Sequence, residues 1–176
     1  ADLKRAGEIK EHLVVGDEDV MVPLINAPDD LLILFAGGEE KTSSVTRSGY
    51  FDELKLLSNQ LNLNSNVTFA GKKTQLELKA LYKSSNIFVY PSLYENFGQP
   101  LIEAASHGLP LISTPVGIAN DIIIDGETGY HVTGKAEEIK DRIESLTDSN
   151  LRLEMGRKIQ IEIKNRFDWE DRKSVV

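Results

Sequence analysis

A chain of 176 residues, 40% hydrophobic and 27% charged, has the composition of one globular domain and enough length to bury a core without covalent staples. The absence of cysteine excludes disulfides and thiolate metal sites and suits the reducing cytoplasm. A net charge of −8 argues against a nucleic-acid groove, which needs clustered Lys and Arg, and no apolar run or opening signal sequence points to a membrane span or to export.

Ala1 to Lys10 is charged and poor in apolar residues, as in a short helix or a linker. His12 to Val15 reads as a first strand, followed by Gly16 and the acidic cluster Asp17-Glu18-Asp19. Val20 to Ala27 has the pattern of a short helix interrupted by Pro23, and Pro28-Asp29-Asp30 is a turn. The continuous apolar run Leu31 to Ala36 predicts a parallel strand buried on both faces. Gly37-Gly38-Glu39-Glu40 and the Ser/Thr-rich residues to Ser48 form a loop. A dinucleotide fingerprint would need three spaced glycines opening a helix. Its second half is missing here, so a nicotinamide site is rejected.

Tyr50 to Leu61 predicts a helix with Phe51, Leu54, Leu57, Ser58 and Leu61 as its core-facing stripe. Asn66 to Ala70 is a short strand ending in Gly71. Thr74-Gln75-Leu76-Glu77 reads as a capping box opening a helix through Lys83, with Leu78, Leu81 and Tyr82 facing inward.

The most informative stretch runs from Val89 to Thr114. Ile87 to Tyr90 is a buried strand between Asn86 and Pro91. A loop with Glu95, Asn96, Phe97 and Gly98 follows, and Pro100 suits the start of a helix. That helix is expected over Pro100 to His107, stopping at Gly108, with Leu109 to Ser113 as the next strand. Strand, loop, helix and strand make one unit of a parallel α/β sheet, and such sheets bind ligands at the carboxyl ends of their strands. Glu95 in the loop and Glu103, expected in the first helical turn, frame the backbone N–H groups of Phe97, Gly98, Leu101 and Ile102. A helix start with unpaired N–H donors attracts anions, and carboxylates accept hydrogen bonds from hydroxyls. A nucleotide sugar offers both groups. Taken singly, Glu103 also reads as ordinary helix-start electrostatics and Glu95 as a solvated loop residue.

Pro115-Val116-Gly117 follows, then a short helix over Asp121 to Ile124, a turn at Asp125-Gly126 and a strand over Gly129 to Val132. Ala136 to Leu146 is an amphipathic helix with Ile139, Ile143 and Leu146 in register, bounded by Asp148-Ser149-Asn150. Leu151 to Asn165 is another, with Leu153, Met155, Ile159 and Ile163 near helical spacing. Trp169 reads as a packed anchor. His12, His107 and His131 show no ligand spacing, so no metal site is expected.

Glu95-Asn96-Phe97-Gly98-Gln99-Pro100 with Glu103, Pro91-Ser92 before it, and Ala104-Ala105, Gly108 and Pro110 after it resemble the signature of family 4 retaining glycosyltransferases. Asp125-Gly126-Glu127-Thr128-Gly129-Tyr130 and Arg166-Phe167-Asp168-Trp169 are similar to further motifs of that family. The resemblance covers about Asn66 to Trp169 well and the first third poorly. It implies an α/β, Rossmann-like three-layer sandwich with a mostly parallel sheet. Residues 1–176 would then be a single nucleotide-sugar-binding domain, the C-terminal half of a GT-B fold. The N-terminal, acceptor-binding half would lie outside this chain, so the isolated domain is expected to turn over little.

The same resemblance implies roles. Glu95 would act near the reacting carbon, beside the N–H groups of Asn96, Phe97 and Gly98. Glu103 would hold the ribose hydroxyls, and the N–H groups of Leu101 and Ile102 would meet the phosphates. Gln99 belongs to the same string. Gly71, Lys72 and Lys73 would edge the base, an assignment equally open to a solvated basic turn. Gly117 would approach the donor phosphates, although this chain keeps one glycine where the family usually has a pair. The implied donor is a nucleoside-diphosphate sugar, UDP-glucose-like or GDP-mannose-like, with no other cofactor and no metal. The implied place is the cytoplasm, at the inner face of a membrane if the missing half attaches there. One departure is marked: Asp17, Glu18 and Asp19 stand where the family carries an Arg and a Lys for the leaving diphosphate. It keeps open a second reading, a catalytically retired domain with a structural or regulatory role.

Overall fold

The computed structural model describes residues 11–15, 31–37 and 50–167. Six strands and six helices occur among them: β1 (Glu11–Val15), β2 (Leu31–Ala36), α1 (Tyr50–Gln60), β3 (Val67–Gly71), α2 (Gln75–Ser84), β4 (Ile87–Tyr90), α3 (Gln99–Ser106), β5 (Leu111–Ser113), α4 (Ala119–Ile122), β6 (Gly129–His131), α5 (Ala136–Ser145) and α6 (Ser149–Phe167). The expected helix over Val20 to Ala27, the acidic cluster Asp17 to Asp19, the loop beyond Gly37 and Trp169 lie outside the described residues, as do the segment Ala1 to Lys10 and the side chain of Phe51.

All strand pairs are parallel, and the sheet runs β3-β2-β1-β4-β5-β6. The order reverses between β1 and β4, whose registered residues include Val15 opposite Val89. A crevice opens at such a switch point, outside the carboxyl ends of the strands. The expected three-layer α/β architecture is the one observed.

Strand β4 shows why the layers form. All four of its residues are buried, and alternate side chains leave a strand on opposite faces. Ile87 and Val89 join Leu31, Ile33, Phe35, Ile112 and, from α5, Ile139 and Ile143 in one apolar layer. Phe88 and Tyr90 join Tyr82 of α2, Leu101, Ala104 and Ala105 of α3, and Ile159 and Ile163 of α6 in the other. Helix α6 therefore contributes Met155 to the first layer and Ile159 and Ile163 to the second. Leu153 is exposed, contrary to the expected stripe, because two residues turn a helix by about 200° and set it opposite Met155. On α1 the buried pair is Leu54 and Ser58, while Leu57 is exposed. Strand β2 also departs from expectation, since Leu31, Ile33 and Phe35 are buried and the residues between them only partly so.

The local stops follow backbone chemistry. The Thr74 N–H and hydroxyl both donate to Glu77 Oε2 at 2.8 Å, and the Glu77 N–H returns a bond to Thr74 Oγ1 at 3.3 Å, closing the capping box of α2. Helix α3 ends in a Schellman arrangement: Gly108 N–H donates to Ala105 O at 2.9 Å and Leu109 N–H to Ala104 O at 3.2 Å, with Gly108 at φ 76°. Strand β5 begins at Leu111 rather than Leu109, since Pro110 has no N–H for the ladder; its carbonyl still accepts from Phe88 N–H at 3.1 Å. Helix α4 occupies Ala119–Ile122 instead of Asp121 to Ile124. The Thr128 hydroxyl is the cause: it accepts from Ile124 N–H at 2.7 Å and donates to Ile122 O at 3.0 Å, drawing that N–H out of the helix.

Candidate functional site

The loop between β4 and α3 leaves the sheet beside the switch point and is tied down from below. Ser113 Oγ donates to Tyr90 O at 2.9 Å, the Thr114 hydroxyl donates to Ser92 O, and Ser92 Oγ donates to Tyr94 O at 2.9 Å. These three hydroxyls are buried or nearly so, and they bond the carbonyls of Tyr90, Ser92 and Tyr94 where β4 gives way to the loop.

Glu95 is half-buried and held at both oxygens. Tyr90 Oη–H donates to its Oε2 at 2.5 Å, and Phe97 N–H donates to its Oε1 at 3.1 Å. The Tyr90 hydroxyl keeps the carboxyl below the usual carboxylate range; partial burial opposes this, and the N–H groups of Phe97, Asn96 and Gly98 add to the lowering. This corrects the sequence expectation that these amides stand free: the Phe97 N–H turns back to Glu95. Leu101 N–H is likewise taken, by Gly98 O at 3.0 Å, and its side chain is fully buried. Ile102 stands half-buried in the first turn of α3.

Helix α3 starts one residue earlier than Pro100, at Gln99, with Gly98 as its left-handed N-cap at φ 87°. Glu103 is consequently the fifth helical residue and lies past the first turn, which holds no acid. Its Oε1 accepts from Gln99 Nε2 at 2.9 Å, one turn away on the same face. Beneath it, the Tyr82 hydroxyl faces the carboxylate; burial first, and then the Glu103 charge and hydrogen bonding, push that phenol's pKa up. Tyr82 packs edge-on against Phe88 at 5.9 Å, and Phe88 stacks on Tyr90 at 6.0 Å. One file of aromatic rings thus runs beneath both acids.

Gly117 comes against this loop from the β5–α4 connection. At φ 48°, a Cβ built on it would sit 2.6 Å from Phe97 O and 3.2 Å from Glu95 Cγ. Next to it, Ile118 N–H donates to Phe97 O at 2.7 Å. The structure thus brings Glu95, Asn96, Phe97, Gly98 and Gly117 together. Asn96 is exposed, its Oδ1 accepting from the Tyr94 hydroxyl at 2.9 Å.

Gly71, Lys72 and Lys73 stand apart from that cluster, at the carboxyl end of β3. Strands β2 and β1 lie between β3 and β4, a separation of about 14 Å at ~4.8 Å per strand. Gly71, at φ 67°, accepts from Gly37 N–H at 3.2 Å. Lys73 pairs with Glu77 at 3.8 Å, while Lys72 is exposed. Tyr90, Ser113 and Thr114 were missed by sequence reasoning. Tyr90 closes the strand five residues before Glu95, but an apolar strand end carries no sign of which way a hydroxyl turns.

Among the described residues, no three or more His, Asp or Glu side chains gather as metal ligands. Nor is any helix there long and apolar enough to cross a membrane.

Known proteins similar to this chain in sequence or in fold are numerous. The profile of the family described as glycosyl transferases group 1 matches residues 21–164. The capsular polysaccharide biosynthesis glycosyltransferase CapM of Staphylococcus aureus is 32% identical over 149 residues, covering 81% of this chain and 37% of that protein. A D-inositol 3-phosphate glycosyltransferase of Rhodococcus erythropolis is 32% identical over 142 residues, covering 80% of this chain and 31% of its own. The chain thus spans about a third of the length of these curated relatives. Among solved structures, Anabaena HepE in complex with UDP and glucose superposes with a TM-score of 0.79 at 18% identity, over 95% of this chain and 49% of that one. The C-terminal domain of the Francisella tularensis glycosyl transferase group 1 protein LpcC gives 0.77 at 24% identity, over 90% and 86%. The fold is therefore that of the C-terminal, Rossmann-like domain of GT-B glycosyltransferases, and the chain belongs to the glycosyl transferases group 1 family.

Proposed function

We propose that this domain binds a nucleoside-diphosphate sugar, UDP-glucose-like or GDP-mannose-like, and presents it for retaining transfer to an acceptor held by a separate N-terminal domain. The observation that carries the reading is the joining of Glu95, Gly98 and Gly117 at the carboxyl end of β4, beside the switch point of the sheet. That HepE is described with UDP and glucose supports it by analogy. Glu95 hydrogen-bonds sugar hydroxyls near the reacting carbon, since an ionised carboxylate held by the Tyr90 hydroxyl and by loop N–H groups is an acceptor only. Glu103 takes the ribose, with Gln99 beside it, while Asn96, Gly98 and Ile102 line the path to the phosphates. With the Phe97 and Leu101 N–H groups engaged within the protein, the diphosphate depends more on Gly117 and on cations elsewhere. Gly71 and Lys72 edge the base, and Lys73 reaches it only by leaving Glu77.

The two acids do not act as the acid/base pair of a glycosidase, which flanks the scissile bond from two sides of a cleft. No cofactor beyond the donor and no metal takes part. Turnover by this chain alone is low, because the acceptor belongs to the second domain, and the assembled enzyme works in the cytoplasm, at the inner face of a membrane only where that second domain attaches to one. Calorimetry with UDP, GDP and ADP tests the reading, and saturable binding of one of them is expected. Glu103→Ala should then weaken it by about 1.5–3 kcal/mol, roughly ten- to a hundredfold, as for loss of a hydrogen bond to a charged acceptor. Absence of binding by all three would favour a retired domain.

A further inference from the structure

We infer that Tyr90 is a positioning residue for sugar recognition, its phenol holding Glu95 in the orientation in which the carboxylate meets the donor's sugar hydroxyls. The inference deepens the donor-site reading and rests on it. Its basis is geometric. Tyr90 is 3% exposed, closes a strand buried on both faces, and has its own carbonyl fixed by Ser113 Oγ at 2.9 Å. Its ring is stacked on Phe88 with planes 16° apart. A phenol so constrained has little rotamer freedom left, so its hydroxyl is a fixed donor toward the loop.

Glu95, by contrast, belongs to a loop whose neighbours Tyr94, Asn96 and Phe97 are exposed. A half-buried carboxylate on such a loop would otherwise sample several rotamers. The 2.5 Å bond from Tyr90 to Oε2 and the 3.1 Å bond from Phe97 N–H to Oε1 fix both oxygens. Gly117 and Gly98 close over the carbon stem, where Cβ atoms built on them would lie 3.2 and 3.4 Å from Glu95 Cγ. The carboxylate is therefore set before a ligand arrives, with its remaining lone pairs directed away from the Tyr90 and Phe97 donors. Pre-setting an acceptor lowers the entropic cost of binding. The ribose and phosphates do not depend on Glu95 in this reading, so the effect of Tyr90 is confined to the sugar.

The test compares UDP with UDP-glucose, by calorimetry, on the wild-type chain, Tyr90→Phe, Glu95→Gln and the double variant. Tyr90→Phe keeps the ring and its stacking and removes one oxygen. Expected is about a tenfold loss of UDP-glucose affinity, UDP affinity within twofold of wild type, and a double variant no weaker than Glu95→Gln alone, the mark of two residues acting through one contact. A parallel readout is the NMR titration of the Glu95 carboxyl carbon without nucleotide, whose midpoint should rise in Tyr90→Phe. Equal losses for UDP and UDP-glucose, full additivity in the double variant, or an unmoved carboxyl midpoint would each overturn the assignment. If the wild-type chain binds neither UDP nor UDP-glucose, the same comparison is made with GDP and GDP-mannose, and failure of all four brings down the donor-site reading and the sugar role of Tyr90 with it. The carboxyl titration then still decides whether Tyr90 holds Glu95.

Discussion

Replacing Gly117 by alanine probes how the β5–α4 connection is seated on the Glu95 loop. Gly117 has φ 48°, where an L side chain costs about 1–2 kcal/mol. Strain is the smaller part. The new Cβ would lie 2.6 Å from Phe97 O and 2.9 Å from Phe97 C, both backbone atoms that no rotamer change can move aside. Relief requires the two segments to separate, which breaks the 2.7 Å bond from Ile118 N–H to Phe97 O at about 1 kcal/mol, and packing losses add about 1–3 kcal/mol. The control is Gly126→Ala, at φ 77° with nothing within 4 Å of its Cβ position, which suffers the backbone strain alone. Gly117→Ala should therefore be less stable than Gly126→Ala by ~3 kcal/mol, a melting-temperature gap of roughly 9 °C for a chain of this size. Thermal unfolding followed by circular dichroism measures both. If the two variants melted within a degree or two of each other, the close approach of Gly117 to Phe97 would not exist in solution.

Gly156→Ala should lower the urea midpoint by the equivalent of about 2–4 kcal/mol, although alanine is intrinsically the better helix former. Its Cβ would fall 2.1 Å from Gly108 O, pushing α6 off the end of α3, and an unchanged midpoint would refute that contact. Thr74→Ala should cost about 1 kcal/mol by opening the capping box of α2, measurable by the same titration. Acid unfolding tests Glu95. Its folded pKa is lowered, so its contribution is complete above the ordinary carboxylate pKa of about 4.3 and is lost as pH falls through the folded value. Glu95→Gln should flatten the stability curve in that acid window and leave its slope above pH 6 unchanged; a variant with the wild-type acid slope would remove Glu95 from the account.

Features made of neighbouring residues were legible without a structure. The apolar run Ile87 to Tyr90, the Thr74–Glu77 capping box and the glycine stop at Gly108 depend on hydrogen bonds and periodicities that close within a few positions, so residue type alone determines them. The alternation of helix and strand likewise announced a parallel α/β sheet, and the string from Glu95 to Glu103 marked the strand-to-helix connection at the carboxyl end of β4.

What the sequence could not contain is decided across distance. Strand order set β4 at the switch point. Gly117 reached Phe97 only through the fold, and the Tyr90 phenol, its ring stacked on Phe88, met Glu95 where the loop folds back over the strand end. The amides of Phe97 and Leu101 look like free donors when residue types are counted, but the local backbone geometry of the loop gives them to Glu95 and Gly98, two and three residues back. Helical spacing marked Leu57 and Leu153 for the core, but which face of α1 and α6 is covered depends on what lies opposite. Burial is a property of two surfaces, and one chain segment specifies only its own.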